Sequence, residues 1–160
     1  MITPFIVISL LLLPSLMVMF IFKLKQQSYQ ISQHAYLGLA LTFLFFASGR
    51  LFVPMQLVEM LPPWVPLRLE LVYASGLMEL AIAVALLLKP YRIYAALLAF
   101  VVLVGFFPIN IYSAFHYTGT AGQQMGPIYL LIRAPLQLIL ISWAYFMVIK
   151  PIQGGNKRLG

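Results

Sequence analysis

Apolar positions fall into five runs, at roughly 4–22, 36–55, 69–88, 93–115 and 127–149. Each holds roughly 18 to 24 residues, enough to cross about 30 Å of hydrocarbon at about 1.5 Å per helical residue. The pattern predicts five membrane-spanning helices in one compact bundle, because the short connections leave no room for a separate globular unit. The first run is apolar on every side except Ser9 and Ser15 and carries Pro14; it reads as a peripheral helix packed against lipid. It begins MITPF, without a basic residue, and its lysines follow the apolar stretch. That order is the reverse of a secretory signal, so the run is expected to be retained.

The polar exceptions inside the other runs carry the functional information. Glu79 is the only acidic residue in LVYASGLMELAIAVALLLK (71–89), on one face with Ser75, Gly76 and Ala83 at three- and four-residue spacing. Small residues beside a carboxylate imply close helix packing, with Glu79 directed into the protein. The second run ends FASGRLFVP (46–54) and brings Arg50; the fourth contains GFFPIN (105–110), where Pro108 cannot donate to the carbonyl of Val104 and Asn110 follows. In the fifth, Tyr129, Arg133 and Gln137 form a polar stripe at four-residue spacing, with Pro135 loosening the backbone. Between the second and third runs, EMLPPWVPLRLEL (59–71) contains three prolines and Trp64. Proline excludes a regular helix through PPWVP and tryptophan suits the headgroup level, so a loop or short re-entrant cap over one end of the bundle is expected.

Composition agrees with the pattern: 63% of the 160 residues are hydrophobic and only 8% charged, against about one quarter charged in soluble chains. The net charge of +7 raises nucleic-acid binding, but the placement of the basic residues argues against it. Lys23 and Lys25 follow the first run, Lys89 and Arg92 separate the third from the fourth, and Lys150, Lys157 and Arg158 follow the fifth. These are alternate ends of a five-span path, so every lysine falls on one side. The positive-inside rule makes that side cytoplasmic, with the amino terminus outside and the carboxyl terminus inside the cytoplasmic (inner) membrane. The partner implied is membrane lipid rather than nucleic acid. Cysteine is absent, which removes disulfide relays, thiolate metal sites and thioether haem. His34 and His116 lie near opposite faces of the membrane, which gives a metal site no support. No cofactor signature is evident.

Counting residues places Glu79 near the midplane and Arg50, Asn110 and Arg133 in the outer half. Ionisable groups at membrane depth cost about 2.5–3.5 kcal/mol each on insertion scales. Pairing offsets part of that, so a Glu79 network with Arg50 or Arg133, supported by Asn110 and Gln137, is the expected arrangement. Two arginines against one deep acid leave a local positive excess, suited to an anionic or oxygen-rich head group whose tail stays in hydrocarbon. Arg50, Glu79, Asn110, Arg133 and Gln137 are therefore the candidate ligand-binding residues, and Glu79 is the candidate for proton handling.

The segments ASGRLFVP (47–54), LPPWVP (61–66), SGLMELAIAVALLL (75–88) and FFPINIYSA (106–114) together resemble the DoxX-like family of small membrane proteins, related to the small subunit of thiosulfate:quinone oxidoreductase. The resemblance covers residues 36–149 and implies a four-helix transmembrane core. Residues 1–35 are then an additional N-terminal transmembrane helix with a cytoplasmic linker, and 150–160 a basic cytoplasmic tail. The family's glutamate matches Glu79 and its Pro-x-Asn matches Pro108 and Asn110, whereas its histidine position holds Arg50. The resemblance implies a fold more than an activity, its branches being linked variously to sulfur compounds, quinones, oxidative stress and partner redox proteins. The leading expectation is a quinone- or small-lipophile-binding redox accessory subunit, with quinone the candidate ligand and a membrane-associated oxidoreductase the candidate partner. Three other classes use the same residues: a structural or assembly subunit without catalysis, a transporter of a small anion or organic acid, and an intramembrane isomerase using Glu79 as acid or base.

Overall fold

The computed structural model describes residues 3–24, 34–116 and 127–151. The linker at 25–33, the connector at 117–126 and the tail beyond 151 lie outside the described residues, as does the side chain of Tyr129. Helix α1 spans Thr3–Leu24, α2 Ala35–Phe52, α3 Pro54–Val58, α4 Arg68–Leu87, α5 Arg92–Phe115 and α6 Pro127–Ser142, which continues as a π-helical segment over Trp143–Ile149. Among the described residues, five helical stretches are long and apolar enough to cross a membrane. The protein is an all-α integral membrane protein, and among the described residues there is no strand.

The bundle is organised around α2, which packs most extensively against α4 and next against α1. Its buried face carries Ala35, Leu39, Ala40, Phe43 and Ala47, and this core continues through Ile82 and Leu86 of α4 and Ala95, Ala96 and Ala99 of α5. Small side chains at these positions let backbones approach closely, the main source of helix association where lipid is as apolar as the core. The outward faces are apolar too: Phe5, Phe20, Leu77, Val101 and Leu131 are all more than half exposed. That pattern suits contact with acyl chains.

Helix α1 is more than a peripheral addition. A methyl group built on Gly38 of α2 would sit 2.0 Å from the carbonyl oxygen of Leu11, so the two backbones are nearly touching there. Val7, Leu11 and Ser15 of α1 are buried on that contact, while Leu12, Leu13, Leu16 and Met17 face outward. The fifth span also departs from a simple α-helix, widening into the π turn at Trp143, whose indole N–H donates to the carbonyl of Ala35 at 3.0 Å. This contact ties the end of the fifth span to the start of α2.

Between α2 and α4 the chain forms α3, which begins with Pro54 where its missing N–H is harmless, and then turns through 59–67 without regular helix. Leu67 adopts a left-handed backbone (φ 50°) immediately before α4. Trp64 is 78% exposed, as a headgroup-level anchor should be, and Glu59 and Glu70 are exposed as well. Glu70 lies in the first turn of α4, where the helix dipole favours a negative charge.

Candidate functional site

Helices α1, α4 and α6 begin, and α2 and α5 end, at the end of the bundle that carries α3. Lys23, Lys89 and Lys150 sit at the other end. Arg50 lies in the last turn of α2, where unpaired carbonyls stabilise a cation. Across from it, Gly76 of α4 is so close that an added methyl would come within 2.9 Å of the Arg50 Cβ. One turn further along α4, Glu79 accepts a hydrogen bond from Arg50 Nη1 in a salt bridge whose acidic side chain is 1% and basic side chain 16% exposed. The small residue foreseen beside the carboxylate thus has a definite role: it lets α2 approach closely enough for the pair to form. Gly76, Glu79 and Ala83 face inward, whereas Leu77, Val84 and Leu87 face outward, as the spacing requires.

The pair extends to the other helices. The Arg50 guanidinium lies 4.7 Å from the ring centre of Phe106 on α5, within cation–π range. Gln137 on α6 donates through its side-chain amide to the carbonyl of Leu103 on α5. That carbonyl lies one residue before the one that Pro108 leaves without its helical donor. Side-chain contacts therefore link α4 to α2 and α2 to α5, and a side-chain to backbone hydrogen bond links α6 to α5.

These contacts surround a cavity of about 390 Å³ lined by all five sequence-predicted residues, Arg50, Glu79, Asn110, Arg133 and Gln137. Small-molecule sites commonly occupy about 300–1,000 Å³ with a few polar groups in an apolar wall. Here the wall is supplied by Phe45, Phe46, Leu103, Phe106, Leu136 and Leu140, closed on one side by Pro4 and Val7 of α1 and roofed by Leu57 and Met60. Among the described residues, the lining holds two guanidinium groups and one carboxylate. A second cavity, also of about 390 Å³, shares Arg50, Leu57, Met60, Phe106 and Asn110 with the first and extends between α4 and α5.

Of the alternatives for the partner of Glu79, the structure selects Arg50; Arg133 lines the same cavity without forming that pair. Gln137 is an interhelical link as well as a lining residue. Sequence reasoning overlooked Ser48, Gln56 and the α1 residues of the lining. Phe106 was visible only as part of a motif, since an aromatic in an apolar span carries no signal of the cation above it. His34 and His116 stand at opposite ends of the bundle, and His116 stacks on Tyr112 with ring centres 3.9 Å apart. Tyr73 is exposed.

Residues 39–148 match the model of a protein family described as a domain of unknown function, DUF8561. The chain belongs to that family, and the matched segment runs from within α2 into the π turn, leaving α1 outside it. No curated protein and no solved structure matches the chain.

Proposed function

We propose that this member of the family is a membrane-embedded binding protein whose cavity takes the oxygen-rich or anionic head of a small lipophile, a quinone foremost. In this reading it serves as an accessory subunit to a membrane-associated oxidoreductase. The observation that carries the reading is the convergence of Arg50, Glu79, Asn110, Arg133 and Gln137, from four different helices, on one cavity with an otherwise apolar wall. Guanidinium and amide groups offer several N–H donors in fixed directions, the chemistry that carbonyl or carboxylate oxygens require. A quinone would bring the electron chemistry, while the chain's own residues bind and orient it. The resemblance of the segments around Arg50, Glu79 and Asn110 to DoxX-like proteins supports the redox association. With the lysines on the cytoplasmic side, the cavity opens in the outer half of the inner membrane, with the amino terminus outside and the carboxyl terminus inside.

The test is purification in native lipid particles, denaturation, and mass analysis of the released small molecules, followed by rebinding of a prenylated quinone. Wild-type protein should retain and rebind a quinone, and Asn110→Leu and Arg133→Met should each weaken rebinding about tenfold, the effect of losing one charged or well-placed hydrogen bond. Failure of folded wild-type protein to bind any quinone would refute the reading.

A second reading rests on the Arg50–Glu79 pair and the Gln137–Leu103 link, each of which joins two helices. If those residues serve only helix packing, paired apolar replacement of Arg50 and Glu79 preserves everything the protein does.

A further inference from the structure

We propose that the two cavities are the chambers of one site for a long-tailed amphiphile: the polar chamber receives the head, and the α4–α5 chamber receives the first part of the tail, which enters sideways from the bilayer. The inference rests on the head-group reading above and adds the tail, its position and its route.

The chambers meet at Arg50, Phe106 and Asn110, which line both. Their chemistry differs on the two sides of that partition. The α4–α5 chamber is walled by Leu71, Val72, Met78 and Ile109, and Glu79, Arg133 and Gln137 are confined to the other. The remaining hydroxyl in the apolar chamber, Ser75, donates to the carbonyl of Val72 at 2.8 Å, so it is spent on its own helix. A wall of this kind favours methylenes over water.

The geometry also gives the chamber a side. Near the α4–α5 turn, α5 buries Ala95, Ala96 and Ala99, small residues that permit close approach. At its far end Phe106, Ile109 and Asn110 are only half-buried. The chamber lies at that far end, roofed by Leu57, Met60 and Leu61 of the capping segment, with Met60 buried. On α4, Leu71 and Ala74 line it and are also exposed on the outer surface of the helix, the surface that acyl chains cover. The chamber is thus closed toward the headgroup end by the cap and open between the helices. A water-soluble anion would use only the polar chamber; a tailed ligand uses both.

The experiment uses full-length protein in lipid nanodiscs and two probes: a prenylated quinone carrying a diazirine near the head end of its tail, and the same quinone ring without a tail. Photolabelling by the tailed probe should map to residues 71–78 and 106–109. Ala74→Phe should weaken binding of the tailed probe about tenfold, the effect of denying burial to about two methylene groups, and leave the tailless probe unchanged. Ala81→Phe, on the same exposed side of α4 but lining neither cavity, should change neither. Label confined to α1 or α6, or equal loss of both probes in Ala74→Phe, would overturn the two-chamber site. Binding of both probes with equal affinity overturns the tail chamber and leaves the head-group reading intact; binding of neither to folded protein overturns both. The wild-type label map decides the matter even if Ala74→Phe fails to fold.

Discussion

Replacing Glu79 by Gln removes the charge that Arg50 faces and keeps the size of the side chain. Glu79 is 1% exposed and the Arg50 side chain 16%, so the guanidinium left behind has little water to turn to. Removing one partner of a buried ion pair costs about 3–5 kcal/mol. The face of Phe106 at 4.7 Å and the carbonyl end of α2 still favour the cation, and each of these is worth about 0.5–1 kcal/mol. E79Q is therefore expected to lose about 2–3 kcal/mol, and R50M, which strands the carboxylate with neither of those contacts to help it, about 3–5 kcal/mol. The double variant R50M/E79L has no stranded charge and is expected within about 1 kcal/mol of wild type, so the coupling energy is about 3 kcal/mol or more. Unfolding in mixed micelles with a rising fraction of denaturing detergent, followed by tryptophan fluorescence, measures all four proteins. Additive losses, or single variants as stable as wild type, would refute the reasoning. The double variant also separates the two functional readings: a folded protein that no longer binds quinone supports the head-group site, and one that binds it unchanged removes Arg50 and Glu79 from that role.

The glycines give a graded set of further outcomes in the same unfolding assay. Gly38→Ala meets the Leu11 carbonyl at 2.0 Å and should lose about 3 kcal/mol, the upper end of ordinary overpacking, as α1 is pushed from α2. Gly76→Ala, at 2.9 Å from the Arg50 Cβ, should lose about 1–2 kcal/mol. Gly105→Ala meets nothing within 4 Å and should lose nothing. Trp143→Phe removes the hydrogen bond to Ala35 and should cost about 1–2 kcal/mol, with the shape of the ring largely kept. Because the chain contains no cysteine, Trp64→Cys should react with an impermeant thiol reagent from outside the cell, and Lys89→Cys only after permeabilisation. The reverse pattern would invert the proposed orientation.

The spans were legible because burial in hydrocarbon imposes a length, and apolar runs of that length stand out in any sequence. Glu79 and its neighbours were legible for a related reason: a charge is expensive there, so it has to face the protein, and Gly76 marks where a neighbour comes close. Which arginine would pair with it was not legible. Arg50 and Arg133 sit at similar depths by residue count, and the choice depends on the lateral order of helices, which spacing along one chain does not encode. The role of α1 was missed because its run at 4–22 is apolar on nearly every side, Ser9 and Ser15 excepted; the clearer signal lay in Gly38 on its partner. The π turn at Trp143 left no mark in the hydrophobic pattern, since one wider turn shifts the faces of a helix that is apolar on most sides. The proline-rich segment was recognisable as a loop or short cap at one end of the bundle, but the inward placement of Leu57 and Met60 depends on how α3 folds back over the bundle.

The pairing of a guanidinium on α2 with a carboxylate on α4 has a consequence for how the protein is made. Arg50 leaves the ribosome 29 residues ahead of Glu79, so the second span is offered to the membrane before its counter-charge exists. Its position in the last turn of α2 lets the long side chain reach the aqueous boundary in the interval. The arrival of α4, the third span, then draws it inward, so that the second and third spans settle as a unit rather than one after the other.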